Sequence, residues 1–150
     1  MKAVTDSMTT LNKYAAECCR NFEIHACTDV TGFGFLGHAY EMAQGSGVAL
    51  TVHVHAVDLI PQALELARMG ILPEGMYRNR HYAQEAVDPG DTELAVQDLL
   101  YDPQTAGGLL MAVDPADADG LLRELRGAVP SAQRVGIVSE YRGGPRILLR

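Results

Sequence analysis

Residues 48–55, Val-Ala-Leu-Thr-Val-His-Val-His, decide the fold class. Val48, Leu50, Val52 and Val54 alternate with Ala49, Thr51, His53 and His55, so one face of an extended segment is apolar and the other polar. Residues 134–139 and 146–149 read as two further strands, closed as a hairpin across Arg142-Gly143-Gly144. A sheet of parallel strands buried on both faces would show continuous apolar runs instead. The pattern therefore predicts an α+β protein with a largely antiparallel β-sheet covered by helices.

Working outward, residues 4–22 carry Val4, Met8, Leu11, Ala15, Cys18, Cys19 and Phe22 at helical spacing, with Thr5 or Asp6 as N-cap. Residues 24–27 form a short strand, and 35–43 a helix stopped by Gly45-Ser46-Gly47. A helix over 62–69, a buried strand over 109–113 and a helix over 115–126 with Pro115 in its first turn complete the pattern. Residues 70–91, rich in Gly, Pro, Asn and Arg, read as a long irregular segment of the kind that often carries function. There is no internal repeat, and residues 1–150 are expected to form a single domain.

At 150 residues the chain is long enough to bury roughly 70% of its unfolded surface without disulfides. The net charge of −7 argues against a nucleic-acid backbone reader and against an anionic membrane surface. The apolar stretch at 109–113 is far short of the roughly 18 residues a spanning helix needs. A cytoplasmic protein with three reduced cysteines is expected, since Cys18 and Cys19 are adjacent on one helix.

Chemical interest concentrates in His25–His38, HACTDVTGFGFLGH. One carboxylate, Asp29, stands between Thr28 and Thr31, ahead of Gly32 and Gly34 at the start of a helix. Mg²⁺ takes hard oxygen ligands and keeps waters and phosphates as the remainder, so a single Asp can be a domain's whole contribution. The glycines let backbone N–H groups face an anion. The same residues also suit a purely structural role, with Asp29 or Thr31 capping the helix. Asp102-Pro103-Gln104-Thr105-Ala106-Gly107-Gly108 is a second polar turn, readable as an Asx-Pro turn alone. His53 and His55 lack the partners a zinc site requires, and the three cysteines read as packing residues. Arg78 and Arg80, in the segment 77–81, can in principle contact phosphate. The usual motifs for nucleotide, dinucleotide, acyl and zinc chemistry are absent.

SMTTLNKYAAE (7–17), ACTDVTGFGFLGHAYEMA (26–43), YRNR (77–80) and DPQTAGGLL (102–110) together resemble the carboxy-terminal half of the selenophosphate synthetase (selenide, water dikinase) family, within the aminoimidazole ribonucleotide synthetase superfamily. The resemblance implies an enzyme that makes selenophosphate, AMP and phosphate from ATP, selenide and water. It implies a homodimer whose amino-terminal half, absent here, holds the catalytic Cys or selenocysteine and its Lys, so no residue of this chain is expected to be catalytic and the chain alone is expected to be inactive. On the same basis Asp29 is expected to ligate Mg²⁺, with Thr28, Thr31 and Gly32 beside the ATP. Ala106 departs from the family's frequent Ser, and Phe35 from its frequent Leu. The alternatives are a stand-alone dimerisation or ligand-binding module and a domain of another ATP-using enzyme of the superfamily, such as one similar to thiamine-phosphate kinase or the hydrogenase maturation factor.

Overall fold

A computed structural model describes residues 2–150. In chain order its elements are α1 (Lys2–Thr9), α2 (Asn12–Cys18), β1 (Ile24–Asp29), α3 (Gly34–Ser46), β2 (Val48–Val52), α4 (Ala63–Arg68), α5 (Glu74–Ala83), β3 (Val87–Asp88), α6 (Leu94–Leu100), β4 (Leu109–Val113), α7 (Ala118–Ala128), β5 (Gly136–Glu140) and β6 (Ile147–Leu149). The α+β class holds. The strands fall into a two-stranded sheet, β1-β4, and a four-stranded sheet ordered β3-β6-β2-β5. Pairing is antiparallel in β1-β4 and β2-β5, and parallel in β2-β6 and β3-β6.

The expected hairpin does not form. β5 and β6 flank β2 on opposite sides instead of pairing with each other. Ala49, Leu50 and Val52 are buried, which makes β2 a central strand with backbone groups to satisfy on both edges. A hairpin beside it would cover only one of them. The turn glycines Gly143 and Gly144 do adopt left-handed φ values of 98° and 77°. Arg146 then crosses back, donating to the Val48 carbonyl at 3.0 Å and stacking on Tyr141 at 3.6 Å. β2 also ends at Val52, so His53 and His55 lie beyond the strand, their rings 6.1 Å apart and stacked.

Three further differences have local causes. The helix expected over 4–22 breaks after Thr9, because the hydroxyls of Thr9 and Thr10 bond back to the carbonyls of Thr5 and Asp6, each at 2.8 Å, and compete with continued helix. The segment 70–91 contains α5, whose buried face is Met76, Asn79 and Ala83. A polar residue in the middle of that face concealed the period. The helix expected at 115–126 starts later, at Ala118, and Pro115 precedes it; Asp114 accepts from the Ala116 N–H at 2.8 Å, forming a turn first.

Packing divides into two cores. Leu36, Ala39 and Ala43 of α3 meet Leu50, Val52, Met76, Ile147 and Leu149 in the larger. Ala15 and Cys18 of α2 meet Leu121 and Leu125 of α7 over the β1-β4 pair in the smaller. Two connections, 30–33 and 101–108, cross between the cores side by side. Val30 N–H donates to the Gly108 carbonyl at 2.9 Å, and Gln104 N–H to the Thr31 carbonyl at 3.0 Å. Asn12 of α2 donates to the Gly107 carbonyl at 3.0 Å. Asn79 of α5 is buried and its amide donates to the carbonyls of both Gly32 and Tyr101, each at 2.9 Å.

Three substitutions test this account by thermal or urea unfolding. A Cβ on Gly107 would lie 2.0 Å from the Val30 carbonyl oxygen, while one on Gly108 meets nothing within 4 Å. Gly107→Ala is expected to destabilise by at least about 1–3 kcal/mol, as overpacking does, and Gly108→Ala by much less. Asn79→Ala strips the donors from two carbonyls and is expected to cost about 2–4 kcal/mol. Unchanged midpoints for Gly107→Ala and Asn79→Ala would show that the crossing loops are not held as described.

Candidate functional site

The alternation of β1 places Asp29 at its exposed end, opposite Leu109, the first residue of β4. Thr28 pairs with Leu110 and its hydroxyl donates to the Asp29 carbonyl at 3.4 Å. Thr31 and Gly32 follow in a tight turn closed by the Gly34 N–H on the Thr31 carbonyl at 3.0 Å. Gly34 is required there. Its φ is 71°, and a Cβ would lie 2.7 Å from the Tyr101 carbonyl and 2.8 Å from that of Asp102.

α3 has Phe33 at its N-cap with no side-chain hydrogen bond. Neither Asp29 nor Thr31 therefore caps it, and the structural alternative read from the sequence is not realised. Asp29 leaves its carboxylate at the surface, while the Thr31 hydroxyl turns to the His38 ring, Oγ1 to Nε2 3.1 Å. His38 Nδ1 in turn lies 3.1 Å from Glu41 Oε2. His38 is buried on the second turn of α3 and Glu41 half-exposed one turn further.

The two motif-bearing turns thus come together: Asp29 to Gly34 on one side, Asp102 to Gly108 on the other. Between them and α5 lies a groove of about 570 Å³, lined by Thr31, Gly32, Phe33, His38, Arg78 and Pro103 among others. Arg78 reaches it while paired with Glu74 at 2.8 Å. Arg80 instead turns inward to an ion pair with Asp98 of α6. Asp102 is half-buried behind the loop, and burial pushes its carboxyl above the ordinary carboxylate range. Phe33 and Tyr82 stack at 5.5 Å at the surface, forming an aromatic rim with Tyr40.

His38, Glu41 and Asn79 were not singled out from sequence. The only signals were a His nine residues after Asp29 with a Glu three further on, on one helix face, and an Asn inside a segment that lacked clear periodicity. Cys18 is buried, Cys19 lies with its thiol 3.1 Å from the Met111 sulfur, and Cys27 is exposed. Partial desolvation of the thiol, with the nearby Asp29 charge second, raises the Cys27 pKa and disfavours its thiolate. Among the described residues no three His, Cys, Asp or Glu side chains converge as a metal cluster, and no helix is long and apolar enough to cross a membrane. A second cavity, of about 1010 Å³, lies between residues 54–59, 88–96 and Leu149–Arg150 and shares no residue with the groove.

Residues 3–146 match the family described as AIR synthase related protein, C-terminal domain. The chain is 43% identical over 149 residues to a selenide, water dikinase of Clostridium botulinum (strain Eklund 17B / Type B), covering 99% of this chain and 43% of that protein. It is 45% identical over 150 residues to the selenide, water dikinase of Desulfitobacterium hafniense (strain Y51), covering 100% of this chain and 44% of the relative. The chain thus spans less than half the length of these relatives. In three dimensions it resembles the hydrogenase maturation protein HypE, with a TM-score of 0.57 and 18% identity over 90% of this chain and 37% of that one, a likeness of fold. With nearly all of its length matched, the chain belongs to the family of AIR synthase related proteins and corresponds to their C-terminal domain.

Proposed function

We propose that this chain is the carboxy-terminal half of a selenide, water dikinase, which makes selenophosphate, AMP and phosphate from ATP, selenide and water. The observation that carries the reading is the meeting of the TDVTG and DPQT turns, with the Asp29 carboxylate presented at a strand end and not spent on capping. The Asp29 carboxylate fits Mg²⁺: it is a hard oxygen donor on a rigid strand, exposed at the strand end. One carboxylate does not encage a metal, so the remaining ligands come from phosphates, water and the other half of the enzyme. Magnesium, when bound, supplies neutralisation of the phosphate charge.

This chain's own residues act by placement. β1 and β4 fix the position of Asp29, Gly32 leaves open space above its turn, where a Cβ would meet nothing within 4 Å, and Thr31 and Gly32 line the groove. The catalytic nucleophile lies in the amino-terminal half, so the isolated chain is inactive. The complete enzyme works in the cytoplasm as a homodimer.

Two experiments test the proposal. Phosphorus NMR of the chain with Mg²⁺, ATP and selenide under anaerobic conditions is expected to show no turnover, with selenophosphate and AMP appearing once the amino-terminal half is added. Products from the chain alone would overturn the division of labour. In the full-length enzyme, Asp29→Asn is expected to lower turnover about 100-fold or more, as loss of several kcal/mol of charge neutralisation requires, with an unchanged melting temperature. A near-normal rate would remove Asp29 from the mechanism.

A further inference from the structure

With His38 neutral, the Thr31–His38–Glu41 chain has a direction that its chemistry dictates. Glu41 Oε2 lies 3.1 Å from His38 Nδ1, and an ionised carboxylate has no proton to give, so Nδ1 carries the hydrogen. In the neutral imidazole Nε2 is then a bare acceptor. Thr31 Oγ1, 3.1 Å away, donates its single proton to it. The Thr31 oxygen is left with only lone pairs to offer, at the wall of the groove that Thr31 and His38 line together. A phosphate oxygen is an acceptor too and is mismatched there; water, or an N–H, is complementary.

We infer that Glu41 and His38 are positioning residues that set the Thr31 hydroxyl as an outward acceptor, so that Thr31 holds the water consumed by the reaction and not a phosphate oxygen of the nucleotide. This rests on the assignment of the dikinase activity above and refines the part Thr31 plays in it. Glu41 acts through His38, and only Thr31 touches the substrate. His38 is buried, with the Phe33 ring 5.5 Å from its own, and its two ring nitrogens are each within reach of one partner.

The test has a spectroscopic and a kinetic arm. In the chain labelled with ¹⁵N-histidine, long-range ¹H–¹⁵N correlation is expected to show His38 with Nδ1 protonated and Nε2 bare, and Glu41→Gln is expected to lose that preference, since an amide can donate as well as accept. Nε2 found protonated in the unsubstituted chain overturns the inference. In the full-length enzyme, Glu41→Gln and Thr31→Val are each expected to lower kcat about 10-fold or more with the KM for ATP unchanged, the usual scale for losing an orienting partner, and Thr31→Ser to restore it. A raised KM for ATP at constant kcat would assign Thr31 to the nucleotide and overturn the inference, as would an unchanged kcat. Asp29→Asn, assayed in parallel, reports on the magnesium assignment separately: an inactive Asp29→Asn beside a fully active Glu41→Gln refutes only the positioning chain.

Discussion

Asn79 supplies the interaction on which the geometry of the candidate site depends. The connections 30–33 and 101–108 both leave one core for the other, and each turns a carbonyl, from Gly32 and Tyr101, toward the interior. A buried carbonyl without a donor costs about 1–3 kcal/mol, so two side by side would drive the loops apart. One primary amide carries two N–H groups in a plane, and at 2.9 Å from each oxygen it holds both loops with a single side chain. Asn12, from the smaller core, fixes the Gly107 carbonyl at 3.0 Å, so the 101–108 connection is held from both cores. Positions 34 and 107 are glycine because the resulting approach leaves no room for a Cβ.

How far the sequence reveals this follows from the range of the forces involved. β1, α3, β2, β4 and the helical content of 118–126 were legible, because periodicity and glycine stops are local. The pairing of β2 with both β5 and β6 was not, since alternation along a strand records which face is buried and nothing about which edges are occupied. Asn79 escaped for the opposite reason: a buried polar residue looks like a solvent-facing one until its acceptors, 47 and 22 residues away in sequence, are seen. Asp29, Thr28, Thr31 and Gly32 are expected as one group because the motif that carries the resemblance is contiguous in sequence. The Thr31–His38–Glu41 chain lies within eleven residues, yet it was hidden by the turn at Gly34 that brings Thr31 against the first turns of α3.

The electrostatics also separate what this chain does from what it needs. Arg68 is bidentate on Glu93 at 2.7 Å, Arg150 pairs with Asp88 at 2.7 Å and Arg78 with Glu74 at 2.8 Å. Arg80 is held by Asp98. These guanidinium groups neutralise the chain's own carboxylates, within a net charge of −7. A triphosphate approaching Asp29 would therefore meet a negative field unless divalent cations and another segment offset it.

That division bears on why Asp29 sits where it does. On the proposed reading Asp29 is a ligand to a metal shared between two parts of an enzyme, and such a ligand gains nothing from a flexible arm, because each added freedom must be frozen on binding. Antiparallel pairing with β4 fixes the backbone of Asp29, and the strand's alternation sets its side chain outward with no other element to satisfy. Two residues later the chain does the reverse: it turns the Thr31 hydroxyl inward onto a buried histidine held by Glu41. The same short turn thus presents a charge to the exterior and a hydroxyl-bearing residue to the groove, two groups whose separation is set by the backbone between them.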